Sequence, residues 1–210
     1  MIICMKQVIF DVGANTGIQI VENAKKYPQN QYYAFEPVPQ LFDNLIKITK
    51  DLPNVVLVKK AVSDFNGKAE FNIANELDNH TTSSLLEFID DVSINWKGVD
   101  HYMTIIDKVE VDVIRLDDFI ESFGITQIDY LHCDAQGSDL KVLEGLGDKI
   151  SIIKEGCVEA GIKFNALYKN QCMIDQVQKY LEKNNFEILA IQQNDSFGNE
   201  ANMFFKNKGA

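Results

Sequence analysis

The chain has 210 residues, 46% of them hydrophobic and 24% charged, which is the balance of one globular domain with a sizeable core. A net charge of −11 and an isoelectric point near 4.7 exclude nucleic-acid binding through a basic face and adhesion to an anionic membrane surface. No apolar run reaches the roughly 18 residues of a membrane-spanning helix, and four scattered cysteines without zinc or C-x-x-C spacing fit a reducing cytoplasm.

The first element is a strand near 7–11, an apolar run ending in Asp11. A turn follows, Val12-Gly13-Ala14-Asn15-Thr16-Gly17, and then a helix near 17–27 with Ile18, Ile20, Val21, Ala24 and Tyr27 at helical spacing. Strand, glycine turn and helix in that order form the ligand-binding end of an open α/β sheet. Gly13 and Gly17 permit positive φ and close backbone approach. Asp11 places negative charge where a phosphate-binding turn would avoid it, which points to a cofactor bearing positive charge. A second strand, 32–36, ends in Glu36 and is followed by Pro37. A helix near 38–50 and a third strand, 55–58, complete a doubly wound, parallel arrangement.

The middle of the chain changes character. Residues 69–73 and 109–113 alternate polar and apolar and are expected to pair at an edge of the sheet. Residues 75–108 lack periodicity and carry Asn79, His80, Thr81, Trp96, His101 and Tyr102, as an acceptor-binding lid would, with a helical turn at 85–91. A short helix over 116–123 leads to a fourth strand, 128–134, ending in Asp134. The next helix carries Leu140, Val142, Leu143 and Leu146. A fifth strand, 156–160, holds Glu159. A helix over 171–183 precedes a closing hairpin, 186–192 and 201–205, whose last strand must run antiparallel.

Asp11, Glu36, Asp134 and Glu159 thus gather at the carboxyl ends of parallel strands. Glu36 lies 25 positions after Asp11, close to the spacing at which an acid accepts ribose hydroxyls in nucleotide folds. The glycines read G-x-x-x-G, against the G-x-G-x-x-G of a pyrophosphate site. S-adenosyl-L-methionine, a sulfonium without phosphate, fits better than a nicotinamide dinucleotide, and the antiparallel hairpin agrees. An oxidoreductase using NAD remains an alternative, as does a cofactor-binding module without catalysis.

The chain resembles the FkbM family of class I S-adenosylmethionine-dependent methyltransferases. The resemblance is carried by Phe10–Gly17, Ala34-Phe35-Glu36-Pro37, Ala61-Val62-Ser63-Asp64 with Gly67, Leu116-Asp117-Asp118-Phe119, Ile128–Gly137 and Val158-Glu159. It implies a Rossmann-like, seven-stranded, mostly parallel sheet with helices on both faces. It also implies methyl transfer to a hydroxyl of a sugar, glycan or secondary metabolite. Carried over by position, Asp11, Gly13 and Asn15, with Thr16 and Gly17, would line the methionine end. Glu36 and Pro37 would sit at the ribose, and Ser63 and Asp64 at the adenine. Asp134 is the first candidate for catalytic base or cofactor contact and Glu159 the second. A divalent cation between these two acids is compatible with their chemistry but is not part of the expected site. The family usually has Lys at His132, Val-Glu at Ala135-Gln136, Glu at Asp139 and, in many members, an N-terminal extension.

Overall fold

A computed structural model describes residues 6–74, 80–94, 96, 103–162, 165–194 and 198–209. The main sheet contains β1 (Val8–Val12), β2 (Gln31–Phe35), β3 (Val55–Val58), β7 (Ile128–Cys133), β8 (Ile153–Gly161), β9 (Phe186–Gln193) and β10 (Glu200–Asn207) in the order β3-β2-β1-β7-β8-β10-β9. Pairing is parallel from β3 through β8, and β10 is antiparallel to both neighbours. The expected seven-stranded, mostly parallel sheet with a closing antiparallel strand is therefore present.

Alternation along β1 sorts the two faces. Phe10 and Val12 enter the larger core with Phe35, Leu131 and Val158, while Ile9 joins a second cluster with Ala34 on the other side. Helices α1 (Ile18–Lys26) and α2 (Pro39–Thr49) cover that second face through Ile20, Ala24 and Leu45. Helices α3 (Leu116–Ser122), α4 (Asp139–Glu144) and α5 (Ile174–Lys183) cover the first through Phe119, Val142, Leu143, Val177 and Leu181. Phe119 meets Phe35 edge-on at 5.0 Å. Strand order reverses between β1 and β7, and such a switch point opens a crevice above the strand ends.

Two expectations for the middle of the chain are corrected. The alternating segments, β5 (Gly67–Ala74) and β6 (Ile105–Ile114), do pair antiparallel, but not at an edge of the main sheet. With β4 (Ala61–Val62) they form a separate three-stranded sheet in the order β4-β6-β5. The chain turns away after β3, where Lys60 N–H bonds back to Val58 O at 2.9 Å. The half-apolar strands then find their cover on the start of α2, in a cluster of Val38, Leu41, Ala61, Phe71, Ile73, Val111 and Val113. The helical turn expected at 85–91 is absent. Backbone groups there bond outward, Ile89 N to Leu167 O and Lys169 N to Glu87 O, with bridges Asn72↔Ser84 and Phe88↔Tyr168. That pattern leaves none of these groups for a helix, and the helical turn falls at Val92–Ile94 instead. Asn79, His101 and Tyr102, and the hairpin residues Asp195, Ser196 and Phe197, lie outside the described residues.

Candidate functional site

The crevice is built first by the turn after β1. Gly13 and Ala14 both donate N–H to Phe35 O at 3.0 Å, tying the turn to the end of β2, and Asp134 N–H bonds to Val12 O at 3.0 Å. Gly13 has φ 83°, and a Cβ there would stand 2.0 Å from the carbonyl oxygen of Asp134. Only glycine lets the β1 turn and the end of β7 approach this closely. Glu36, 3% exposed, accepts N–H from Asn15 through Oε2 and from Val38 through Oε1, both at 2.8 Å. Burial pushes its carboxyl up to about 7 against those two hydrogen bonds, and the charges of Asp11 and Asp134 add to the rise.

A pocket opens above this turn, about 700 Å³ when the solvent space at its mouth is included. One end is lined by Gly13, Asn15, Glu36, Asp134 and Gln136. The other is an apolar slot of Val38, Leu41, Ala61, Phe71 and Leu85, closed by Lys60 and by His80, Thr81 and Ser83 from the middle segment. His80 is held at φ 60° with Nδ1 donating to Ala74 O at 2.7 Å, and Ser83 Oγ accepts Ala74 N–H at 2.9 Å. The small sheet and residues 80–85 therefore wall the same cavity that the glycine turn floors. A flat apolar ring suits the slot, and a diol suits the carboxylate of Glu36. This acceptor and these surfaces fit an adenosine, and the acidic end accommodates the positively charged remainder of S-adenosylmethionine.

Asp134 follows β7 and is half-buried on the pocket wall. Gln136, in the left-handed region at φ 48°, folds its side chain back so that Nε2 donates to Asp134 Oδ1 at 2.6 Å and reaches Glu159 Oε1 at 3.4 Å. Burial raises the Asp134 carboxyl, opposed by the Gln136 hydrogen bond and the nearby His132. Glu159, near the end of β8, is raised well above the usual carboxylate range by burial and by the charges of Asp134, Glu200 and Asp139, and Asn194 Nδ2 donates to its Oε2. Tyr168, 1% exposed, places its hydroxyl 2.8 Å from Gln136 Oε1 and 2.9 Å from Thr82 O. Asp139 opens α4 and accepts the N–H groups of Ala135 (2.8 Å) and Gly137 (3.1 Å), which fixes the turn carrying Gln136. Burial, with the Asp134 charge, pushes Asp139 up to about 7. A half-buried carboxylate with an elevated proton affinity, on a pocket wall, can take a proton from a hydroxyl. Among the described residues no group of three His, Cys, Asp or Glu side chains is arranged to hold a metal ion.

The sequence profile described as the methyltransferase FkbM domain matches residues 11–188. The chain belongs to that family. S-adenosylmethionine is the methyl donor of this FkbM domain. Among similar proteins, Methyltransferase 1 of Beauveria bassiana is 29% identical over 148 residues, covering 67% of this chain and 59% of that protein. The 2-O-methyltransferase NoeI of Sinorhizobium fredii is 25% identical over 183 residues, covering 87% of this chain and 73% of that protein. The chain thus spans less than two thirds of the first relative's length. Among solved structures, Methanococcus jannaschii fibrillarin superposes with a TM-score of 0.55 at 13% identity, covering 100% of this chain and 70% of that one. Aeropyrum pernix fibrillarin, solved with natively bound S-adenosyl-L-methionine, gives 0.51 at 10%, covering 96% and 66%. At these identities the likeness is one of fold. No helix among the described residues is long and apolar enough to cross a membrane.

Of the positions expected to serve this FkbM domain, Gly13, Asn15, Glu36, Pro37 and Asp134 line the pocket together. Asp11 does not. It lies within β1, registers with His132 on β7, and takes the hydrogen bond of His132 Nδ1 at 2.8 Å. Thr16 and Gly17 lie behind the turn, where Gly17 packs against Leu45. Ser63 is buried, its carbonyl oxygen 2.2 Å from where a Cβ on Gly145 would stand, and Asp64 turns to Lys141 at 2.9 Å. Glu159 stands one layer back, reached through Gln136. Sequence reasoning missed Tyr168 and Gln171. Gln171 accepts Leu167 and Tyr168 N–H through Oε1 and donates to Glu200, and so pins the loop that carries Tyr168. No spacing rule points to either residue. For Gln136 there was a signal, an amide where the family usually has an acid.

Proposed function

We propose that this protein transfers a methyl group from S-adenosylmethionine to a hydroxyl oxygen of a small molecule or glycan, with Asp134 as the base. The observation that carries the reading is one continuous pocket joining Glu36 and the apolar slot to Asp134 at the β1–β7 switch point. The name of the 2-O-methyltransferase NoeI supports oxygen as the acceptor atom. When bound, the cofactor supplies a methyl group on a positively charged sulfur. Glu36 offers two carboxylate oxygens to the ribose hydroxyls, already oriented by Asn15 and Val38 N–H. Val38, Leu41, Ala61 and Phe71 exclude water from one end. Asp134 accepts the acceptor's proton as its oxygen becomes bonded to carbon, a contribution of about 10²–10⁴-fold where a base is positioned. Holding both reactants in line contributes up to roughly 7–11 kcal/mol more.

The test is a calorimetric titration with S-adenosylhomocysteine, followed by a screen of sugars, oligosaccharides and hydroxylated metabolites read by release of S-adenosylhomocysteine. Binding with turnover on a hydroxyl acceptor, lost in Asp134→Asn, is expected. No binding of the nucleoside would refute the reading. Turnover confined to amine or carbon acceptors would refute its oxygen half.

A further inference from the structure

The contacts around Gln136 cannot all be satisfied at once. Tyr168 has one hydroxyl hydrogen, and its oxygen lies within bonding distance of two groups, Thr82 O and the Gln136 side chain. The Thr82 carbonyl only accepts, whereas a carboxamide presents an acceptor at one end and a donor at the other. Two hydrogen-bond patterns follow. In the first, Tyr168 donates to Gln136 Oε1 and Gln136 Nε2 donates to Asp134, which is a carboxylate. In the second, Tyr168 donates to Thr82 O, the amide is turned over to donate to the Tyr168 oxygen, and Gln136 Oε1 faces Asp134 at the 2.6 Å contact. A carbonyl oxygen can share that contact only with a protonated Asp134. The backbone of Gln136 is fixed in both patterns, since Ser84 Oγ donates to its carbonyl at 2.7 Å and Asp139 holds the turn on either side.

We infer that Gln136 is a positioning residue whose amide orientation, read against Tyr168, sets whether Asp134 stands as a carboxylate able to take the acceptor's proton. This rests on the reading of Asp134 as the base. Other groups also face Asp134: His132 on β7, Asp11 on the neighbouring β1, Glu36, Asp139, Glu159, and the buried thiols of Cys133 and Cys157. These set its absolute proton affinity; of them Glu159 also touches the Gln136 side chain, at 3.4 Å, and loses that contact in Gln136→Met but keeps it in Tyr168→Phe.

The arrangement makes opposite predictions for its two members. Gln136→Met removes the donor to the carboxylate, so the Asp134 midpoint rises by about one to two pH units. Tyr168→Phe removes one hydrogen bond from the first pattern and two from the second, so the protonated state loses more and the midpoint falls by about half to one pH unit. In the double variant the tyrosine has no path to Asp134, and the midpoint equals that of Gln136→Met alone. The measurement is a carboxyl ¹³C NMR titration of aspartate-labelled protein, with Asp134→Asn assigning the signal and thermal melts confirming the fold. Midpoints displaced in opposite directions, with no additivity in the double variant, are expected. A rise in both single variants would mean altered burial alone and would overturn the inference, as would an unchanged midpoint in Tyr168→Phe, the variant that conserves shape. Titration of the wild type with S-adenosylhomocysteine separates the two readings: absence of binding removes the proposed function and leaves the coupling of Gln136 to Asp134 standing.

Discussion

The proposed contact between Glu36 and the ribose would tie cofactor binding to pH in a way that can be worked out from the surroundings of Glu36. Its carboxyl is enclosed and raised to about 7, and both oxygens are already oriented by backbone donors. A ribose diol brings two hydroxyl hydrogens, which a carboxylate accepts and a carboxylic acid accepts less well. Binding therefore selects the ionised form. With a midpoint of about 7 in the free protein, roughly one molecule in eleven is ionised at pH 6 and about ten in eleven at pH 8, so affinity for S-adenosylhomocysteine should rise about tenfold over that interval and level off above it. Calorimetry in buffers of different ionisation heat should show close to one proton released at pH 6 and almost none at pH 8. Glu36→Gln keeps the size but not the charge. One charge-assisted hydrogen bond is worth about 1.5–3 kcal/mol, so affinity at pH 8 should fall by about 10- to 150-fold, and the dependence on pH should vanish. A Glu36→Gln variant that binds weakly yet retains the wild-type slope would show that another group titrates. A wild type that is flat between pH 6 and 8 would refute the link between Glu36 and the ribose.

Three further perturbations probe the frame of the site. Gly13→Ala sets a methyl group 2.0 Å from Asp134 O at a φ of 83°; it should abolish S-adenosylhomocysteine binding and lower the melting temperature, and unchanged binding would mean that the β1 turn does not floor the site. Asp139→Asn removes an acid raised to about 7 from an ordinary value near 3.8. The native state keeps that proton where the unfolded chain has released it, so wild-type stability declines as pH rises through this window, by about 3 kcal/mol between pH 5 and 8 relative to the variant. Urea titrations at the two pH values measure the difference, and parallel behaviour of the two proteins would refute it. Burial pushes His132 down, but the hydrogen bond and charge of Asp11, with Asp134 and Asp139, outweigh it and leave the imidazole raised. Its contribution is then complete below about 6.5 and lost as pH rises through the folded value, so His132→Ala should destabilise more at pH 6 than at pH 9, and the reverse order in denaturant melts would sink the pairing with Asp11.

The parallel sheet was legible because its signals are local. Val8–Val12 followed by the glycine turn, Glu36 before Pro37, and the hairpin without room for a helix each announce themselves within a few residues. The small sheet was half legible. Alternation at 69–73 and 109–113 foretold strands and their pairing, but their partner depends on where the chain turns at Lys60, a tertiary event that no period encodes. Residues 85–91 misled because Leu85, Leu86 and Phe88 sit at helix-compatible spacing, while the hydrogen bonds that decide the matter reach to residues 167–169. The site divides in the same way. Gly13, Asn15, Glu36 and Asp134 follow strand ends and were placed by topology. Tyr168 and Gln171 come from a loop remote in sequence. Asp64 and Asp11 each meet a partner far away in sequence, Lys141 in one case and His132 in the other, which no local pattern announces.

That last point changes the electrostatic argument that the first strand raised. Asp11 was expected to repel phosphate and receive a positively charged cofactor, yet His132 already compensates it. The remaining acids are compensated differently. Glu36 and Asp139 rest on backbone N–H groups, Asp134 on the amide of Gln136, and Glu159 on that of Asn194. Among the described residues no lysine or arginine forms an ion pair with any of these four. Neutral donors satisfy hydrogen-bonding capacity without cancelling charge. Glu36 and Asp134, the two that line the pocket, therefore keep a field that a cation can still lower, and burial makes that field stronger than it would be in water. A sulfonium with an adjacent ammonium matches this surplus, whereas a pyrophosphate would add to it. The preference against phosphate thus rests on Glu36 and Asp134, with which no lysine or arginine among the described residues forms an ion pair, and Asp11 acts one layer behind, by holding the imidazole that faces Asp134.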